Sequence, residues 1–490
     1  MVQLNQRSFL KKQCACLVLV IGSDILFYGQ SIGWTMGFYT LLLLSVLLTF
    51  NRGILKSSAS KVIAVGALTL AIDLMESPGL LTISMFWLGL ISLIILQKRR
   101  ETPSAMLWLN DIGRFVSQSF WQWLKDYKAI QRHKKSTVQQ PINLRYAVVP
   151  VTLTLVFGGL FSHANPIIAK VLSGMDFNIL NPGVSFLRWC YWFLVGLLLW
   201  ALLRPRFLVT QTLPPCVQVN LSRWLNLQTF ILSLALFNAL FLVQSSLDIL
   251  FLWSDEVLPM GVTYADYARA GAYPLFATNL LTAAFVLLTF GDRQQQFQTD
   301  LAKKLVFVWL GQNLLLVISA ITRLLHYVEA YSLTHLRIVA FIGMGLTAIG
   351  LLLIVVKIKY NHGTSWLINA NAVAVTVTLY VICFINVDRI IADYNVRHAQ
   401  EVTGTGSSIG MAYLYNLGFE ALPALHWFQA NAKHSPYQAR QAGVFITELE
   451  NQLASDVSDW RAWTWRKQRL STASLAALTP VPIGNSGWRY

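Results

Sequence analysis

Charged residues are the scarcest class in this sequence, at 12% of 490 residues, and only 22 of them are acidic. A soluble domain carries about 25% charge, so an ordinary water-soluble fold is excluded for a chain that is 55% hydrophobic. Cysteine is also sparse. Four of the five, Cys14, Cys16, Cys190, Cys216 and Cys383, sit in apolar runs where a thiol acts as a small hydrophobe, and no disulfide framework is implied. Cys14 and Cys16 point to different faces of a helix and make poor joint metal ligands. There is no Walker sequence, no paired-histidine zinc motif and no Gly-x-Ser-x-Gly. No metal site is expected, no cofactor is indicated, and no nucleophile with an adjacent base is evident. An internal repeat of the kind many secondary transporters carry is missing too.

What is present is hydrophobic length. Apolar windows of about 20 residues, enough to cross a hydrocarbon core of roughly 30 Å, number about eleven. They fall near 13–29, 33–50, 61–75, 79–97, 144–163, 184–203, 224–252, 272–290, 305–326, 337–358 and 366–386, the third being the shortest. The expected fold is therefore all-α, a polytopic integral membrane protein with a small helical C-terminal tail. Arg7, Lys11 and Lys12 precede the first window without a small-residue cleavage site, so an uncleaved first helix is expected.

The net charge of +16 needs no nucleic acid, because basic residues collect in loops on one side of a bilayer. Arg7, Lys11 and Lys12 place the N-terminus in the cytoplasm. Alternation puts Arg52, Lys56 and Lys61, then Lys98 to Arg100 and the basic stretch to Lys135, then Arg204 and Arg206, then Arg293, Lys303 and Lys304, then Lys357 and Lys359 on the same side. An odd number of crossings leaves the tail outside the cytoplasm.

The organisation read from these patterns is a front group of membrane helices over 1–100, a cytoplasmic amphipathic helix and linker over 101–142, a main bundle over 143–398 and a helical tail over 399–490. In the linker, Trp108, Ile112, Phe115, Val116, Phe120 and Leu124 recur near helical spacing beside Arg114, Lys125 and Lys128. Two readings stay open there: a linker helix packed on the bundle, or a helix that binds anionic lipid head groups. In the tail, helical periodicity from Met411 to Leu425 is expected to bend or break at Pro423, and a further helix is expected over Gln438 to Leu453. The tryptophans of 459–466 suit docking on the membrane interface or on the bundle, and the glycines of 404–410 read as a flexible linker.

Polar groups stand out against the apolar background. In the window 224–252, Asn238, Ser245 and Asp248 share a stripe with Gln244 off to its side, either as interhelical glue or as a cavity lining. The loop 261–271 holds Tyr264, Asp266, Tyr267 and Arg269. A turn near 323–337 holds Arg323, Tyr327, Glu329, Tyr331 and Arg337, and a segment after the last window holds Asp388, Arg389 and Tyr394. These segments end on the same side of the membrane, as a ligand site assembled from loops requires. The expected pairings are Arg269 or Arg323 with Asp266, Glu329 or Asp388. An interfacial belt of Tyr and Arg is the plainer reading of the same residues.

The stretches Tyr264-Ala265-Asp266-Tyr267-Ala268-Arg269-x-Gly271, Tyr327-x-Glu329-Ala330-Tyr331-x-Leu333-Thr334-x-Leu336-Arg337 and Asn386-Val387-Asp388-Arg389-Ile390-Ile391-Ala392-x-Tyr394-Asn395 carry a resemblance. With the Leu417 to Leu425 and Asp459 to Trp463 pieces, they make residues 140–470 similar to a bacterial membrane family known only as a domain of unknown function (DUF four-one-five-three and its relative four-one-seven-three). Asp266 stands where the family pattern has a glutamate, and Val387 where it has a proline. The resemblance implies a bacterial inner-membrane protein and brings no activity. Since polar residues concentrate on the outer side, ligand or envelope-component binding is the first expectation, an enzyme on a lipid-linked substrate the second and a transporter the third.

Overall fold

The computed structural model describes residues 6–51, 53–99, 103–134, 186–205, 227–252, 278, 281–282, 285 and 299–478. Among them every regular element is helical. The windows 144–163 and 272–290 fall outside the described residues, apart from the isolated positions in the second; each other window holds a helix. Six of the described helices are long and apolar enough to cross a membrane.

The front helices are α1 (Gln6–Phe27), α2 (Trp34–Phe50), α3 (Ser58–Asp73) and α4 (Leu80–Lys98). Leucine is frequent in α2 and α4 and alanine in α3, and both are good helix formers because leucine loses little rotamer freedom in a helix and alanine has none to lose. Phe86, Leu90, Leu93, Ile94 and Ile95 of α4 are fully buried against Leu43 and Leu47 of α2 and Leu70 and Leu74 of the α3 end. Gly37 lets α2 and α3 touch, since a Cβ there would overlap Met75 and lie 2.6 Å from the Ala71 oxygen.

Two later helices join this core. The helix α6 (Phe186–Leu203) contributes Leu199, Ala201, Leu202 and Leu203. The helix α10 (Thr364–Cys383) contributes Cys383 and places the Tyr380 hydroxyl 2.5 Å from Thr69 Oγ1. A separate core joins α7 (Leu227–Leu252), α8 (Asp300–Tyr331) and α9 (His335–Tyr360) around Phe230, Leu234, Trp309 and Leu351. Polar glue ties α7 to α8: Asn238 donates to the Leu305 carbonyl at 3.1 Å, and Gln312 donates to the Asn238 carbonyl at 3.2 Å.

The linker helix α5 (Ala105–Lys134) packs on the bundle through both apolar and buried polar side chains. Asp111 receives Arg99 at 2.7 Å, Asp126 receives Trp200 Nε1 at 2.9 Å, and Gln122 donates to the Arg204 carbonyl. Trp108 and Phe115 also turn inward, with Trp108 Nε1 donating to Ser92 at 3.0 Å. Met106, Leu109, Val116 and Trp121 remain exposed. Of the apolar residues read from the sequence, Trp108, Ile112 and Phe115 pack on the bundle and Val116 is exposed, while the buried carboxylates Asp111 and Asp126 reach the Arg99 and Arg204 guanidinia at the helix ends.

The tail forms a helical cap of α11 (Val387–Arg397), α12 (Gln400–Thr403), α13 (Met411–Asn416), α14 (Leu422–Asn431), α15 (Pro436–Ser458) and α16 (Trp465–Leu478). Leu414, Leu425, Phe428, Ile446, Leu449 and Leu453 form its core, and Ile391, Val328 and Leu333 bind it to α11 and the α8–α9 turn. Pro423 stands in the first turn of α14, after a 3-10 turn over Gly418–Ala421. A missing N–H costs nothing there, so the proline starts a helix where the preceding one has broken. The segment 404–410, expected to be a flexible linker, is an ordered turn. Gly404 and Gly406 take positive φ, and both Glu401 carboxylate oxygens accept the Ile409 N–H at 3.2 Å.

Beyond α15 the chain reaches back to the front helices. The Trp34 backbone and indole N–H groups donate to the carbonyls of Trp463 at 2.9 Å and Trp460 at 2.7 Å, and Arg466 N donates to Glu76 at 2.9 Å. Backbone carbonyls make this docking, while the Trp460 and Trp465 side chains stay exposed. The cap therefore covers the bundle end that carries residues 28–34 and 74–79, opposite the end held by α5.

Candidate functional site

The loop 261–271, with Tyr264, Asp266, Tyr267 and Arg269, lies outside the described residues. The other candidate residues fall on the capped end and divide into a buried centre and an exposed rim.

Asp248 is the lone charged residue of α7 and sits in its last turns. Arg323 of α8 donates to its Oδ1, with side-chain exposures of 7% for the arginine and 1% for the carboxylate. Gln244 donates to the same oxygen at 3.0 Å, one helical turn back, so this amide belongs to the centre and not beside it. The second oxygen, Asp248 Oδ2, and the Ser245 hydroxyl are buried with no hydrogen-bond partner among the described residues. A polar atom left so in a low-dielectric place costs a few kcal/mol. The centre is accordingly built around more than the ion pair itself.

Arg323, Tyr327 and Tyr331 follow at four-residue steps along one face of α8. The Tyr327 and Tyr331 rings are 5.1 Å apart, and the Arg337 guanidinium folds back over Tyr327 at 4.3 Å. The same guanidinium donates to the Tyr331 carbonyl at 2.7 Å and to the Ser332 carbonyl, so Arg337 closes the C-terminus of α8. A cation there meets the negative end of the helix dipole. Ser332 turns the chain with φ of 68°, and Asn395 of α11 grips the next residue, accepting from Leu333 N at 2.6 Å and donating to Leu333 O at 2.9 Å.

The expected pairings of Arg269 and Asp266 fall outside the described residues, and the others take different partners. Arg323 chooses Asp248; Glu329 meets His326 at 3.4 Å, Asp388 meets His335 at 2.6 Å, and Arg389 meets Asp393 at 3.7 Å. Two of the three expected segments do converge. Tyr394 stacks on His398 at 4.2 Å, and burial first, then the nearby Glu329 carboxylate, pushes its phenol above the ordinary value.

Sequence reading missed three groups. Arg188 of α6 holds Asp24 of α1 with both nitrogens, at 2.8 and 2.5 Å, beneath the Tyr28 and Trp192 rings. The available signal was that Asp24 is the lone acid of its helix and Arg188 the lone charge of its own, and lone charges in apolar helices seek each other. His335 stood in the turn already singled out, but Tyr413, whose hydroxyl lies 3.0 Å from His335 Nδ1, is 78 residues away and gave no sign. Glu420 joins Asn386 at 2.6 Å to Arg466 at 3.3 Å, linking α11 and α16.

Neither the curated proteins nor the solved structures contain a match to this chain. A family model described as Domain of unknown function (DUF4153) matches residues 15–427. The match takes in the front helices as well as the back part, and it ends within α14. Spanning most of the 490 residues, it makes this chain a member of that family.

Proposed function

We propose that this protein sits in a bacterial inner membrane with its N-terminus cytoplasmic and binds a ligand or envelope component from the outer side, at the centre formed by Asp248, Ser245, Gln244 and Arg323. The carrying observation is that Asp248 Oδ2 and Ser245 Oγ are buried without a hydrogen-bond partner among the described residues, beside a guanidinium held by the same carboxylate. Ionisable groups within membrane helices are expensive and point by default to a functional site. The orientation rests on the basic residues Arg99 and Arg204 at the α5 end and on the rule that such residues stay cytoplasmic.

Native mass spectrometry of the full chain released from nanodiscs tests the binding. A retained non-lipid adduct is expected in the wild type and its loss in the double variant Asp248→Leu with Arg323→Met, whose stability is kept because both buried charges are removed together. An adduct-free wild type, or an adduct unchanged in the variant, would overturn the reading. The same spectra examine α5, where exposed Met106, Leu109, Val116 and Trp121 lie on a helix that also bears Arg114 and exposed Lys125. This arrangement supports contact with anionic head groups. Arg114→Glu with Lys125→Glu should lose retained anionic lipid, and unchanged retention would remove that contact.

A further inference from the structure

The first residue of α9 lies at the meeting point of three segments. His335 Nε2 is 2.6 Å from Asp388 Oδ1 in the first turn of α11, and Nδ1 is 3.0 Å from the Tyr413 hydroxyl of α13. An ionised carboxylate only accepts, so Nε2 carries the proton and Nδ1 is left to accept. The His335 backbone N–H lies 3.1 Å from the same phenol oxygen and donates to it. Tyr413 is thereby turned so that its own hydrogen goes to Nδ1, with one lone pair left over. Histidine and aspartate are about half exposed, at 50% and 44%, so a solute can reach them. Carboxylate, imidazole and hydroxyl in this order make a nucleophile with a base and an orienting group.

We propose that Tyr413 is the nucleophile of an acyl-transfer site, with His335 as its base and Asp388 as a positioning residue, acting on a neutral, activated acyl donor of the thioester or aryl-ester class. The proposal stands on this cluster and does not rest on the Asp248 centre. Phenols and thiols ionise within about two pH units of each other, so acyl exchange between them is nearly balanced, whereas an alkoxide is a far poorer leaving group. Charge also favours a neutral donor. The half-exposed Asp388 faces the site, while Arg337 is held by the Tyr331 and Ser332 carbonyls and Arg389 by Asp393. An anionic phosphodiester would meet that carboxylate without an added cation.

In the reaction, Tyr413 Oη attacks the carbonyl carbon and its proton passes to Nδ1. Collapse breaks the bond to sulfur or to the aryl oxygen, and the proton from Nδ1 leaves with the thiol or phenol. Water then gives a proton to Nδ1 and cleaves the acyl-tyrosine, and the proton returns to the phenolate. One water is consumed, and one carboxylic acid and one thiol or phenol are formed.

The test uses p-nitrophenyl acetate on the full chain in detergent, with p-nitrophenol release and peptide mapping of the acetyl group. Tyr437, 75% exposed, is the internal control. Acetylation of Tyr413 should be faster than that of Tyr437 on the order of a hundredfold or more, the range of general-base assistance. Tyr413→Phe should lose the adduct with its melting temperature kept. His335→Asn should slow acetylation and remove the pH dependence of the wild-type rate, and Asp388→Asn should slow it less. If Tyr413 reacts no faster than Tyr437, or if His335→Asn is folded by protease resistance yet unchanged in rate and pH profile, the trio is only a junction between α9, α11 and α13.

Discussion

Replacing Asp248 by leucine leaves the Arg323 guanidinium in a place where water cannot compensate it. With exposures of 1% and 7%, solvent screening takes little from the interaction, and removal of one partner of a buried pair costs about 3–5 kcal/mol. Arg323→Met alone should cost a similar amount, because among the described residues Asp248 would keep Gln244 alone. The double variant Asp248→Leu with Arg323→Met removes both charges and leaves apolar groups of similar bulk, which is often neutral or stabilising. Reversible unfolding in mixed micelles gives the four free energies of the cycle, and their coupling should be several kcal/mol in favour of the pair. A single variant within about 1 kcal/mol of wild type, the range of exposed pairs, would refute the burial on which the site is built. The double variant also separates two roles: recovered stability with a lost adduct would mean that these residues serve a ligand in addition to holding α7 against α8.

Four other outcomes follow from the same geometry. Gly33→Ala should release the segment 460–464 from α2, since its Cβ would overlap the Ala462 carbonyl and come within 2.6 Å of the Arg461 oxygen; new proteolytic cleavage there would show it, and unchanged resistance would count against the docking. Asn395→Ala should destabilise the cap by roughly 1–3 kcal/mol for each buried Leu333 backbone group left unmet, read by hydrogen exchange at residues 332–334. Tyr394 has a raised phenol, so its contribution to stability is intact below the ordinary value of about 10 and is lost as pH rises through the higher folded value; Tyr394→Phe should reduce that alkaline loss, and an ultraviolet titration should find one late-ionising phenol fewer in the variant than in the wild type. A reporter fused after Tyr490 should behave as periplasmic and one inserted near Lys134 as cytoplasmic, and equal behaviour would mean that the number of crossings is even.

Hydrophobic runs and helix periodicity were enough to determine the all-helical membrane class, because each lipid-facing backbone must satisfy its hydrogen bonds within its own helix. Local signals also marked α8 and α9 with their turn, the break before Pro423 and the value of Asp248 as a charge alone in an apolar helix. The partners of those charges were another matter. Arg323 had several acidic candidates within loop reach, and helix packing alone selected Asp248, 75 residues away. The inward carboxylates of α5 depended on where Arg99 and Arg204 ended their helices. The triad of Asp388, His335 and Tyr413 depended on how the cap folds over the α8–α9 turn. Periodicity reports which face of an element is apolar; which distant element meets that face is decided by packing of the whole chain, and the chemistry at the capped end arises from that meeting.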